Sequence, residues 1–248
     1  MTEEGRAFLT VPRLAEIGWL VHGFGNAGWS EAGFLDFAAS KGLRPAVMRQ
    51  IHSDVIHRLE AAPDVKLEGD ALVTNVPGLL LVVRTADCLP VLLVDATNRA
   101  VASVHCGWRG TRKRILEKAV LAMGRAYGSD PAGLLAALGP CIGSACYEVG
   151  PEVEQSFGAA GFPDDVFKPV AGRAPGRGHV PEVRVPASCR KSLLDLRAAN
   201  VWLLEDLGVK RASIWSADAC THCDPGLLSY RRNKGEPRRM YNFIGIRW

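Results

Sequence analysis

Val91-Leu92-Leu93-Val94-Asp95-Ala96-Thr97-Asn98-Arg99-Ala100-Val101-Ala102-Ser103-Val104-His105 reads as two apolar runs around a four-residue polar turn. Runs of this kind, short, rich in Val and Leu and bounded by turn residues, are the pattern of strands buried on both faces. With Asp95 opposite Ala100, His105 falls opposite Pro90, and Cys88 lies one diagonal step away on the same face. A diagonal separation of roughly 7 Å lets the two side chains converge on one ion. Leu79 to Val83 reads as a neighbouring strand of the same core. Beyond the hairpin, Ile115, Leu116, Ala119, Val120 and Met123 recur at helical spacing, which predicts a helix over Thr111 to Tyr127 closed by Gly128. A strand at Leu134 to Leu138, a glycine-rich loop from Gly139 to Gly150, and a helix around Ser188 to Leu207 ending at Gly208 follow. Ala212 to Ser216 and Tyr241 to Arg247 read as late strands. Strands and helices alternate without a strict βαβ rhythm, which favours an α/β fold with mixed sheets over a doubly wound one.

The chain has 248 residues, 48% hydrophobic and 23% charged, which excludes disordered, collagen-like and coiled-coil classes. One domain over residues 1–248 is expected, with no repeats, and Ala171 to Pro181 is expected to be an exposed loop. The net charge of +4 falls short of a nucleic-acid-binding signature. Leu79 to Val94 is broken by Arg84, Asp87 and Pro90, so no membrane span is expected. Seven cysteines, an odd number, with no secretory pattern over Met1 to Thr10, predict free thiols in a reducing cytoplasm.

The chemistry-bearing residues sit where strands meet loops: Arg84-Thr85-Ala86-Asp87-Cys88-Leu89-Pro90, His105-Cys106-Gly107-Trp108-Arg109-Gly110-Thr111, and His52 in Arg49-Gln50-Ile51-His52-Ser53-Asp54. One thiolate and two imidazoles form a zinc set with a fourth position open, the pattern of a catalytic site. Copper is an alternative, since Cu²⁺ outranks Zn²⁺ for such donors. Cys106 alternates to the opposite face and is not expected to be a ligand. Cys220-Thr221-His222-Cys223 has zinc-like spacing, but no second pair at a suitable distance completes a structural site. Packing roles are therefore expected for Cys146, Cys189, Cys220 and Cys223.

Arg49-Gln50-Ile51-His52, Gly69-Asp70-Ala71-Leu72-Val73-Thr74, Ala86-Asp87-Cys88-Leu89-Pro90, His105-Cys106-Gly107-Trp108-Arg109-Gly110-Thr111, Gly139-Pro140-Cys141-Ile142-Gly143 and Ser229-Tyr230-Arg231-Arg232 together resemble the YfiH-like laccase-domain family. The resemblance covers essentially the whole chain. It implies a single domain of layered α/β/β/α sandwich type and metal ligands at His52, Cys88 and His105. It also implies phosphorolysis of adenosine, inosine, guanosine and methylthioadenosine, with adenosine deamination. The same family has been called polyphenol oxidase and peptidoglycan editing factor. Two departures stand out: Cys106 replaces the more usual alanine after His105, and His222 stands where an aromatic residue is common.

Phosphorolysis needs an anion site, for which Arg109, the loop at Gly139 and Cys141, and the basic, aromatic patch of Tyr230, Arg231 and Arg232 are candidates. Deamination needs an activated water and a proton-transferring group. Asp87 and Asp70 are the candidate acids and bases, and the sequence leaves open which of them faces the metal. The H-x-E and P-C-x-x-C patterns of zinc deaminases are absent. Purine nucleosides and phosphate are the expected partners, and a monomer the expected state. A four-copper laccase needs more imidazoles than six histidines supply, which leaves a copper-dependent phenol oxidase only as a single-copper alternative. A metal-free cysteine hydrolase, with Cys88 as nucleophile and His105 as base acting on cell-wall-related amides or esters, is the remaining rival.

Overall fold

The computed structural model describes residues 7–170 and 191–248. The loop expected at Ala171 to Pro181, Cys189 and the first three residues of the expected Ser188–Leu207 helix lie outside the described residues. The strands are β1 (Phe8–Leu9), β2 (Leu20–Gly25), β3 (Arg44–Val47), β4 (Ile56–Arg58), β5 (Ala71–Thr74), β6 (Leu79–Thr85), β7 (Leu89–Asp95), β8 (Ala100–Cys106), β9 (Leu135–Leu138), β10 (Glu148–Val149), β11 (Phe167–Pro169), β12 (Ser192–Leu194), β13 (Ile214–Ser216) and β14 (Met240–Ile246). The helices are α1 (Pro12–Ala15), α2 (Glu31–Ser40), α3 (Trp108–Arg112), α4 (Ile115–Tyr127), α5 (Pro151–Gly158) and α6 (Leu196–Asp206).

The β7–β8 hairpin forms in the expected register, with Asp95 opposite Ala100 and Pro90 opposite His105. It occupies the middle of a six-stranded mixed sheet ordered β13-β9-β7-β8-β5-β4. A five-stranded mixed sheet, β1-β2-β14-β6-β3, lies against it, and β10-β12-β11 form a small antiparallel sheet. Every residue of β7 and β8 is buried, and alternation sends them to two different cores. Leu92, Val94 and Val101 pack between the two large sheets with Leu81, Val83 and Ile244. Val91, Leu93, Ala102 and Val104 pack outward against Ile115, Ala119 and Val120 of α4 and Ala199 and Leu203 of α6. On the far side, Leu80, Val82 and Phe243 face Phe34 and Ala38 of α2. The result is the expected four-layer α/β/β/α sandwich, held by apolar area removed from water on three successive interfaces.

Two helices differ from the sequence expectation. The helix expected over Thr111 to Tyr127 is two helices, because Arg114 takes a left-handed backbone (φ 59°). Its guanidinium is drawn to Glu117 and Asp206 and stacks 5.4 Å from the Trp202 ring, tying the break to α6. The helix expected from Ser188 starts at Leu196, where Asp195 caps it by accepting from the Ala198 N–H at 2.9 Å. The residues just before the cap pair as β12 with β10 and β11.

His22 on β2 is buried, and its Nε2 accepts the Val11 N–H at 2.9 Å. Burial pulls the imidazole down to about 4. The unfolded chain therefore binds a proton near pH 6.5 that the folded chain refuses until about pH 4, so stability falls as pH drops through this window. At about 1.4 kcal/mol per unit, roughly 3 kcal/mol is lost by pH 4. His22→Gln, whose amide oxygen can take the same N–H, should lose about that much less between pH 7 and pH 4. Urea midpoints of the two proteins at both pH values give the comparison, and parallel declines would sink it.

Candidate metal centre

Asp70 is wholly buried at the start of β5. Its carboxylate accepts the backbone N–H groups of Ile51 (3.3 Å), His52 (3.1 Å) and Ser53 (2.6 Å) and the Ser53 hydroxyl (2.6 Å). The same carboxylate accepts from Nδ1 of His105 at 2.8 Å. One side chain thus holds the loop that carries His52, in left-handed backbone with φ 55°, and fixes the ring of His105 at the end of β8. With its proton committed to Asp70 through Nδ1, His105 is left with Nε2 as the ligating nitrogen.

Cys88, at the entry to β7, completes the cluster. Its Sγ is 3.9 Å from His52 Nε2, and the two imidazoles stand edge-on with centroids 5.0 Å apart. One donor atom from each of His52, Cys88 and His105 lies within 4.8 Å of the others. Burial alone would push the Cys88 thiol up, but the His105 charge and hydrogen bonds from both imidazoles bring it down to about 6. Burial would likewise lower His105, but Cys88 and Asp70 raise it to about 9. Asp70 itself, despite burial, is held near 2 by His105 and Ser53. The cluster offers one sulfur and two ring nitrogens, with His105 giving up its Nε2 proton on binding, and this donor set fits zinc with room for a further ligand. Gly107 supplies the room, since a Cβ there would lie 3.0 Å from Cys88 Sγ and 3.2 Å from His52 Cδ2. Cys106, adjacent to His105, points into the helix-side core with its thiol pushed up by burial, and is not part of the cluster.

Residues 35–247 match the family described as multi-copper polyphenol oxidoreductase laccase. The chain belongs to this laccase-domain family. Among the relatives of these laccase-domain proteins, a purine nucleoside phosphorylase of Deinococcus radiodurans is 38% identical over 216 residues, 87% of this chain and 74% of that one. An adenosine deaminase from an unknown prokaryotic organism is 39% identical over 163 residues, 65% of this chain and 56% of that one. The crystal structure of the Bacillus licheniformis protein YfiH superposes with a TM-score of 0.84 at 24% identity, covering 98% of this chain and 97% of its own.

In this laccase-domain chain the cluster opens into a cleft of about 670 Å³, within the roughly 300–1,000 Å³ range of small-molecule sites. Arg109 and Tyr230, named from sequence, line it, as does Asp87. The Asp87 carboxylate is committed, accepting from the Thr221 hydroxyl and the Arg231 N–H, each at 2.6 Å. Asp70 sits behind His105 and is not part of the wall; its contacts are to His105 and the loop that carries His52. Gly139 and Cys141 are not part of the wall either. A Cβ at Gly139 would run into Phe24 and Pro90, and Cys141 is buried with Sγ 3.7 Å from Arg197. From that loop it is Ile142 and Tyr147 that reach the cleft. Arg232 is turned inward, donating to the carbonyls of Thr221 (2.7 Å), His222 (3.0 Å), Asp224 (3.0 Å) and Leu227 (2.5 Å). The sequence reading missed Arg49, Lys66, Arg84, Arg239 and Tyr147, which line the cleft from five different segments; of the patch read at Tyr230, Arg231 and Arg232, it is Tyr230 and Arg231 that reach it.

Asp70→Asn keeps the shape but weakens the hold on His105 and its tautomer, and should lower zinc affinity 10–100-fold. Competition against a chromophoric chelator measures it; unchanged affinity would remove Asp70 from the ligand-orienting role.

Proposed function

We propose that the chain is a zinc-dependent purine nucleoside enzyme. Its reaction is phosphorolysis of adenosine, inosine, guanosine and methylthioadenosine to free base and ribose 1-phosphate or methylthioribose 1-phosphate, with adenosine deamination as a second activity. The names of the two relatives support the substrate class. The observation that carries the reading is the composition of the cleft: Arg49, Lys66, Arg84, Arg109, Arg231 and Arg239 line a space whose acidic member is Asp87. A wall so dominated by cations around a His₂Cys floor suits a phosphate co-substrate beside an uncharged nucleoside.

A zinc ion held by His52, Cys88 and His105 would supply Lewis-acid polarisation at the floor of the cleft. The remaining work falls to the chain. Phosphorolysis forms a bond from a phosphate oxygen to C1′ as the bond from C1′ to the base breaks, so phosphate must be held beside the sugar. Arg109, stacked 4.6 Å from the Trp108 ring, and Arg231, 5.4 Å from the Tyr147 ring, are braced for that task. Burial, with the charges of Cys88 and Asp87, pushes the Tyr147 phenol up, keeping it a proton-bearing donor for a leaving base. Tyr230, half exposed at the rim, offers a face for stacking. Asp87 and Asp70 act by holding Arg231 and His105 in place. The enzyme works as one domain and as a monomer in the reducing cytoplasm, in keeping with the six described cysteines being free.

One observation favours a second reading. Cys88, His105 and Asp70 run thiolate to imidazole to carboxylate, the order of a nucleophilic cysteine triad. A metal-free hydrolase would carry no stoichiometric zinc and would lose all activity on alkylation of Cys88.

Incubation of the zinc-loaded protein with inosine and phosphate should give hypoxanthine and ribose 1-phosphate. Arg109→Ala should raise the KM for phosphate 10–100-fold, as expected for losing one charge-assisted contact of about 1.5–3 kcal/mol. No product from protein with metal bound would overturn the assignment.

A further inference from the structure

The turn Cys220-Thr221-His222-Cys223 was expected to lack partners for a metal site. The fold supplies one from 77 residues away. The turn is tight, with the N–H groups of Cys223 (3.1 Å) and Asp224 (2.9 Å) donating to the Cys220 carbonyl. The Gly139–Gly150 loop is laid along it, through a parallel bridge of Cys141 with Cys220 and the Thr221 N–H donating to the Cys141 carbonyl at 3.0 Å. A single 3₁₀ turn, Ser144–Cys146, then brings Cys146 Sγ to 3.3 Å from Cys223 Sγ. One imidazole nitrogen of His222 lies within 4.8 Å of both sulfurs. Cys220 Sγ stands next to this trio, at the start of the same turn, where it accepts the Gly143 N–H at 3.1 Å. Gly143 allows this approach, since a Cβ there would sit 3.2 Å from that sulfur.

We propose that Cys146, His222 and Cys223, the three donors the fold already brings within 4.8 Å of one another, form a second zinc site, structural and distinct from the one in the cleft, with Cys220 drawn in as the fourth ligand. Three thiolates and one imidazole make a closed tetrahedral set with no position left for substrate. An N–H donated to a sulfur favours its thiolate form, as metal binding requires. Loading exchanges the proton of each protonated thiol for a bond to the ion, with no change of oxidation state. The cysteines are free, with Cys146 and Cys223 well beyond the roughly 2.05 Å of a disulfide. The ion would staple together two segments that wall the cleft: one carries Ile142 and Tyr147, the other Tyr230 and Arg231. Arg232, spanning the carbonyls of Thr221, His222 and Asp224, frames the same turn.

The test is zinc stoichiometry of the full chain purified under reducing conditions. Wild type should hold two zinc ions per chain, Cys146→Ser and Cys223→Ser one each, Cys88→Ser one, and the Cys88→Ser/Cys223→Ser double variant none. The two sites thus fail separately, so a wrong reading of the cleft does not decide this one. Should the Cys146→Ser and Cys223→Ser variants not fold, titrating metal-free Cys88→Ser protein with Co²⁺ should give the strong sulfur-to-cobalt absorption of a three-thiolate site. Zinc content unchanged by Cys223→Ser, a Cys146–Cys223 disulfide in protein kept under reductant, or no such absorption would overturn the proposal.

Discussion

A single buried carboxylate organises the chemistry of this fold. Asp70 gathers three consecutive backbone N–H groups, a hydroxyl and an imidazole around two oxygens. A carboxylate taken out of water is costly unless its hydrogen-bonding capacity is filled, and here the groups that fill it are those that present His52 and His105. Stability and ligand geometry are therefore the same set of bonds. Both sheets enter the construction: β8 delivers His105, while the Cys88 entry to β7 follows directly on β6 of the neighbouring sheet.

The hairpin register was legible because a two-residue period and a four-residue polar turn leave one pairing that buries both runs. That register placed His105 and Cys88 on one face and Cys106 on the other, as the structure has them. His52 was named from its loop position and from the donor set it completes with Cys88 and His105, while the four-layer order came with the family resemblance rather than with the pattern. The two helix starts were misread because a left-handed Arg114 and an Asp195 cap both overrode an apolar rhythm that ran on past them. Among site residues, sequence could not separate Arg231 from Arg232, or show that Gly139 is small because Phe24 and Pro90 press on it. Those distinctions rest on contacts between segments far apart in the chain. The same holds for Cys146, whose nearness to Cys223 depends on how two loops lie side by side.

The cleft combines two electrostatic environments. At its floor, negative charge on Cys88 and Asp70 is balanced by His105 within a few ångströms. At its wall the arginines lie on separate segments, held apart by partners such as Glu68 for Arg49 (2.5 Å) and the Glu148 carbonyl for Arg231 (3.2 Å). Spreading the cations over several elements lets them surround an anion without packing like charges on one strand, and a concave wall of one sign concentrates anions from solution.

His52 and Asp87 both hold positive φ, at 55° and 92°, where a side-chain-bearing residue costs about 1 kcal/mol or more relative to glycine. Neither conformation is one its own segment would choose; each is imposed by hydrogen bonds to distant partners, Asp70 for the first and Thr221 and Arg231 for the second. The two loops that carry the chemistry are thus the parts least able to form by themselves. In folding, they would take shape only after the sheets had met, and under mild destabilisation they would be the first to let go.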